Sequence, residues 1–388
     1  MKHYGLIGMG LGIALALSGC ESDETPGEAD SQATVESDTA VESDTGTADD
    51  TVVADDTAAN DTVADTTPAD TTPVDPDAIV LPLVRPAVVQ TVSTSIGDWT
   101  MKPGRETTRC VVKRLDNADP LWVTQVRSSL NRGSHHMIIY KSTETEERRE
   151  PFQCDPFVET LSGETFPLMI TQVREETLSF PNGIAFKFEP NQMIRLEAHY
   201  LNYFEEDITA HGDVFFDAIA AEDVVSEANL LFYGNPDLDI PTGQSFSTPW
   251  NYISVLPGTK VFAITGHTHQ WGTNVEISMA MSMDDPGQSI YPGEEDYYWD
   301  EPPVTYYEPA LEFEEGNGFN YRCSYENESG SAVGFGESAN KEMCFLWAYY
   351  YPSKGYRICI NPGSINDQFG NEICCPGHFL CGIISGAL

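Results

Sequence analysis

The chain has 388 residues, with 61 acidic side chains against 20 Lys and Arg and a formal net charge of −41. Such a surplus of negative charge argues against a nucleic-acid partner, whose phosphates need a cationic surface, and otherwise implies little beyond solubility. The length is more than one hydrophobic core usually serves.

At the start, Lys2 and His3 precede an apolar run from Gly5 to Leu17 and then Ser18-Gly19-Cys20. A short charged start, a brief hydrophobic region and small residues before a cut mark a secretory signal. Because a cysteine follows the small residues directly, residues 1–20 resemble a bacterial lipoprotein signal, with Cys20 acylated as the new N-terminus. No later stretch reaches the 18 or so apolar residues needed to span a bilayer. The expected location is therefore the bacterial cell envelope, periplasmic or surface side, with membrane contact by the lipid anchor only.

Residues 21–78 are a Thr, Asp and Ala tract with 18 acids and no Lys or Arg, including the near-repeats VESDTAVESDT and ADTTPADTTPVDP. Self-repelling charge with few large apolar side chains predicts a disordered linker. The remainder, with 43 acids against 20 bases, is acidic in its own right. From residue 79 onward the apolar runs are short and turn signals frequent. CVVKRL, HHMIIY, IRLEAHYL, DVFFDAI, NLLFYG, KVFAITGHT, VEISMAM and CFLWAYYY read as strands, and long segments of helical periodicity are absent. An all-β protein of paired antiparallel sandwiches is expected.

Setting Cys20 aside leaves eight cysteines in an exported chain, where disulfides are the default. Cys359, Cys374, Cys375 and Cys381 cluster near the C-terminus as disulfides or as a thiolate metal site of irregular spacing.

Five of the eight histidines fall in three strand-like segments. His267 and His269, in ITGHTHQWG, occupy alternate positions, so both imidazoles can face one metal or remain ordinary hydrogen-bonded side chains. His135 and His136 are neighbours, and joint use needs a bulge or a strand end, which Gly133 and Ser134 permit. His199 alternates with Arg195 and Glu197 opposite Ile194, Leu196 and Ala198, making it an exposed residue or a ligand lining a cleft. Met343 shares a face with Phe345, Trp347 and Tyr349, as packing or, beside a His-x-His, as a thioether ligand selecting Cu(I).

HHMIIY, EAHY, VFAITGHTHQWG, RCSYEN and EMCFLWAYYY occur in that order between about Cys110 and Tyr351. In this the chain resembles the copper type II, ascorbate-dependent monooxygenases, the family of the peptidylglycine and dopamine hydroxylating enzymes. The resemblance implies two jelly-roll β-sandwich domains facing a solvent-filled cleft, taken as residues 79–227 and 228–355, with 356–388 as a Cys-rich tail. It implies two coppers per chain, one on His135, His136 and His199 and the other, the catalytic one, on His267, His269 and Met343. Ascorbate or another one-electron donor, O2 and a small-molecule substrate follow from it. So do the disulfides Cys110–Cys154 and Cys323–Cys344.

The departures bear on substrate. Where peptide-hydroxylating members have an arginine two residues before the His-x-His, this chain has Thr265, and their Asn and Tyr after the Met-Cys pair are Phe345 and Trp347. Glycine-extended peptides are thus not the expected substrate. Phe345 and Trp347, with Trp271 near them, form either a less polar substrate surface or a packed core face. A carrier or other non-catalytic copper protein of the envelope is the alternative. The acidic, aromatic segment 284–316 lacks a clean strand pattern and reads as a loop over the cleft, a contact surface or a solvated surface. His211 and His378 have no motif around them, and oligomeric state is not legible.

Overall fold

The computed structural model describes residues 79–155, 165–293, 295–336, 338, 340–360 and 373–375. The expected signal at residues 1–20 with Cys20, the acidic tract 21–78, His378 and Cys381 lie outside the described residues.

Eleven strands precede residue 228: β1 (Val88–Met101), β2 (Arg105–Arg114), β3 (Leu121–Leu130), β4 (Ser134–Ser142), β5 (Arg148–Gln153), β6 (Thr165–Thr171), β7 (Glu175–Ser179), β8 (Ile184–Phe188), β9 (Met193–Asn202), β10 (Ile208–Ile219) and β11 (Ser226–Glu227). They form two sheets, ordered β1-β10-β3-β8-β11 with β7 beside β3, and β5-β2-β9-β4-β6. The second half begins with β12 (Asn229–Gly234), β13 (Asp239–Ile240), β14 (Ser245–Ser247), β15 (Asn251–Ser254) and β16 (Thr259–His267). It continues with β17 (Gly272–Ala280), β18 (Gln288–Tyr291), β19 (Val304–Phe313), β20 (Gly318–Glu326), β21 (Val333–Gly334) and β22 (Phe345–Tyr351). The last two strands are β23 (Arg357–Ile360) and β24 (Ile373–Cys375). One large sheet here runs β19-β16-β22-β12-β23-β24, another β14-β20-β17-β18 with β15 beside β20, and β13 pairs with β21. Pairing is antiparallel except β11 with β8 and β12 with β23. No α-helix occurs among the described residues, and none is long and apolar enough to cross a membrane.

All eight expected strand segments form strands. In β22 the alternation is complete: Phe345, Trp347, Tyr349 and Tyr351 enter one apolar core, and Leu346, Ala348 and Tyr350 enter another. A central strand covered on both faces has no use for a polar side chain, hence the uninterrupted apolar run. The first of these cores crosses between the halves, joining Ile138, Leu168 and Phe180 to Phe232, Phe262 and Trp347. Phe180 and Phe262 meet with ring centroids 5.3 Å apart, and Phe166 and Tyr356 at 4.3 Å. Phe180 and Phe262 are buried and contribute roughly 1.5–3 kcal/mol each of transfer free energy, so the halves dock through apolar packing.

Two readings are corrected. Residues 304–313 form β19, an edge strand on β16, whose Pro309 and exposed acids obscure the alternation and are tolerated because an edge leaves one side unpaired. The described part of the tail is no appendage, since β23 and β24 extend the sheet of β12. Disulfides join Cys110 to Cys154, Cys323 to Cys344 and Cys359 to Cys374. Cys375 is also disulfide-bonded, so the thiolate metal site is not formed by these tail cysteines.

Candidate metal centre

The first histidine set is built on neighbouring strands. Gly133 has φ +89°, and the ladder of β4 on β9 slips between Ser134 and His136. This is the bulge that lets two consecutive histidines serve one site. His136 sits opposite His199 in the resumed register. Ring centroids are 5.0 Å apart for His135–His136, 5.3 Å for His135–His199 and 5.0 Å for His136–His199. One ring nitrogen from each of the three lies within 4.8 Å of the others. Glu106 Oε1, 2.8 Å from His199 Nε2, accepts that N–H and leaves Nδ1 buried without a hydrogen-bond partner. The polar face of β9 is itself buried: Arg195 reaches Glu144 at 3.4 Å, and Glu197 accepts from the Tyr140 hydroxyl at 3.3 Å. His199 is therefore no surface residue.

The second set lies where β16 ends. His267 closes the strand and His269 follows in the turn, with ring centroids 5.2 Å apart at 87°. His267 Nδ1 lies 2.8 Å from Gln172 Oε1, and His269 Nδ1 lies 2.9 Å from the Lys341 carbonyl. The Lys341 carbonyl can only accept, which puts the His269 proton on Nδ1, and Nε2 of each ring is buried without a hydrogen-bond partner. The turn is pinned by Glu342, whose carboxylate accepts from the backbone N–H of His269 at 2.8 Å and of Trp271 at 2.7 Å. Burial pushes the Glu342 carboxyl up to about 7, against the lowering effect of those N–H donors and that of Met343. Met343, fully buried beside this carboxylate, belongs to the core containing Phe345 and Trp347, and its carbonyl accepts from the Tyr325 hydroxyl at 2.7 Å. Reading the sequence missed Glu342 and Gln172; an acid directly before the Met-Cys pair was the available signal for the first.

The two sets abut. His135 and His269 ring centroids are 6.0 Å apart and those of His136 and His267 are 6.2 Å apart. The solvent-filled separation implied by the resemblance is thus closed at this level, because apolar docking brings β4 against the end of β16. What remains open is a cavity of about 490 Å³ on the outer side of His135, with Glu106, Arg174 and Tyr203 from the first half and Trp299, Asp300 and Asn340 from the second on its walls. Within segment 284–316, residues 299–301 line this cavity, with the Trp299 ring centroid 6.0 Å from that of His135. Tyr297 ties the segment down, its hydroxyl 2.8 Å from Thr268 Oγ1.

Phe345 and Trp347 are not on the cavity wall. Phe345 lies over Gly234, where a Cβ would come within 2.1 Å of its ring, and packs on Phe232 and Phe335. Trp347 stacks on Phe232 and stands 6.0 Å from His267, centroid to centroid. Their large apolar surfaces fill the core behind the histidines, so of the two readings of this face the packed core is the one observed, and the assignment of Phe345 and Trp347 to substrate contact is corrected. Thr265 is also buried, bonded to Pro303 and Gln172. His211 lies apart, between Asp98 and Asp213.

Burial holds four of the imidazoles neutral. His135 is lowered to about 3 and His269 to about 4, with His136 and His267 also well below the usual histidine range, and neighbouring imidazoles add to each shift. At pH 7 these four rings are unprotonated, the form in which an imidazole can bind a metal. Buried imidazole nitrogens on His135, His199, His267 and His269 lack any hydrogen-bond partner, an arrangement costly without a cation to accept their lone pairs. Clustered neutral imidazoles suit copper or zinc.

Residues 251–371 match the model for the copper type II ascorbate-dependent monooxygenase, C-terminal domain. No curated protein matches. Similar solved structures include the major capsid protein P2 of bacteriophage PM2, at 6% identity over 69% of this chain and 100% of that chain, with a TM-score of 0.32. Another is the naturally empty top component of cowpea mosaic virus, at 9% identity over 65% and 92%, with a TM-score of 0.26. At these scores neither bears on function.

Proposed function

Through its C-terminal half the chain belongs to the copper type II ascorbate-dependent monooxygenase family, and from that premise we propose that it hydroxylates a C–H bond of a small, non-peptidylglycine molecule using O2 and an ascorbate-like one-electron donor. The observation that carries this reading is the pair of abutting histidine sets, in which buried ring nitrogens of His135, His199, His267 and His269 have no hydrogen-bond partner. His135, His136 and His199 would hold one copper; His267, His269 and Met343 would hold the other. Bound copper supplies the one-electron redox and dioxygen chemistry.

The chain's own residues supply the rest. Glu106, Gln172 and the Lys341 carbonyl hold the imidazoles in ligating tautomers, and Glu342 fixes the turn joining His269 to Met343. A three-imidazole site serves both copper oxidation states, whereas two imidazoles with a thioether favour Cu(I). The core around Trp347 and Phe345 keeps water from the second set. The cavity beside His135 is sized for a small molecule and carries Tyr203 and Trp299 for an apolar body. We further propose the division into domains after residue 227 and an envelope location by acylation of Cys20.

Replacement of the family's polar substrate contacts by Thr265, Phe345 and Trp347 favours a second reading, a non-catalytic copper carrier. Oxygen uptake by the copper-loaded full chain separates them. Ascorbate-dependent O2 consumption stimulated by a substrate panel and abolished in His267→Ala supports the enzyme; tight copper binding without turnover supports the carrier.

A further inference from the structure

Gln172 follows β6 in the first half, yet its side chain belongs to the second histidine set. It is buried, its backbone N–H donating to Glu176 Oε2 at 2.8 Å. Its Oε1 meets His267 Nδ1 at 2.8 Å and its Nε2 meets Thr265 Oγ1 at 3.3 Å. The direction of each bond follows from one end of the chain of contacts. The Pro303 carbonyl can only accept, so Thr265, 2.8 Å away, donates its single hydroxyl hydrogen there. The longer 3.4 Å alternative, the Gly266 carbonyl, also only accepts and leads to the same result. Thr265 Oγ1 is then an acceptor toward Gln172, so the amide turns its NH2 to Thr265 and its oxygen to His267. A carbonyl oxygen cannot donate, so the His267 proton sits on Nδ1 and Nε2 carries the lone pair.

We propose that Gln172 is a positioning residue that sets, from the opposite half of the molecule, the tautomer and ring orientation of His267. The second metal site is then complete only when the two halves are docked. Thr265, standing where related enzymes have an arginine, is the residue that orients the Gln172 amide. The metal-binding consequence rests on the copper reading above; the tautomer does not.

The test uses the full chain in two measurements. In the metal-free protein, histidine-ring nitrogen NMR, with His267 assigned by comparison with His267→Gln, should show the Nδ1–H tautomer. Gln172→Leu should convert this to a mixture or to Nε2–H, while Gln172→Glu, which retains an acceptor, should restore it. In chelator competition with Cu(I), Gln172→Leu should weaken one of the two sites by about 10–100-fold, the usual effect of losing such an orienting partner, and leave the other unchanged. Should Gln172→Leu fail to fold, Thr265→Val removes the orienting hydroxyl and is expected to mix the tautomers likewise. An Nε2–H tautomer in the unmodified chain, or an unaltered His267 signal in the variants, overturns the proposal. A tautomer that switches as expected in a chain that binds no copper upholds it and sinks the copper reading instead.

Discussion

At the residue scale the sharpest question is whether Met343 is a ligand or only core. It is fully buried and shares its core with Phe345 and Trp347, so packing alone would explain a methionine. Packing and ligation nevertheless predict different outcomes. Met343→Ile nearly conserves volume and should cost less than about 1.5 kcal/mol. If the thioether binds copper, the Cu(I)–sulfur signal in X-ray absorption should vanish in this variant, because no aliphatic side chain donates in its place. Met137→Ile, a buried methionine on β4 next to the other set, should leave the signal intact. An unchanged spectrum in Met343→Ile would assign the residue to packing. The histidines themselves were legible because each lies in or directly after a patterned strand. Gln172 and Glu342 were not, because a glutamine in a turn and an acid before a strand carry no periodic signal, and only folding brings them to the rings.

At the element scale, the bulge in β4 converts an unpromising His-His pair into a site. Gly133 makes the approach possible. A Cβ there would lie 2.4 Å from Ile208 Cδ1 and 3.0 Å from the Leu201 carbonyl, at a φ of +89° that side chains rarely adopt. Gly133→Ala should therefore destabilise the chain by about 1–3 kcal/mol in denaturant unfolding. It should also weaken copper binding at the His135 set more than at the His267 set. Equal stability and unaltered affinities would show that the bulge does not need the glycine. Central strands such as β16 and β22 could be read from their apolar runs, since burial on both faces leaves little else to encode, and β9 from its alternation. The edge strands were harder. β1 is mostly exposed and rich in Thr and Ser, and β19 carries exposed acids with a proline, so neither shows the alternation that a half-buried strand would.

At the scale of the whole molecule, the shared apolar core and the abutting histidine sets are one fact seen twice. Phe180 against Phe262 and Phe166 against Tyr356 hold the halves together, and the same docking brings His136 within 6.2 Å of His267. This closeness was not legible, because motifs report which residues share a metal but not how far one metal lies from another. The six side chains His135, His136, His199, His267, His269 and Met343 are proposed to make two copper sites rather than one or none. Copper content of the purified, copper-loaded chain after removal of loosely bound metal is the test. Two coppers per chain are expected, one in His199→Ala, and one in His267→Ala. No retained copper in the unmodified chain, or loss of both coppers together in His199→Ala, would contradict it.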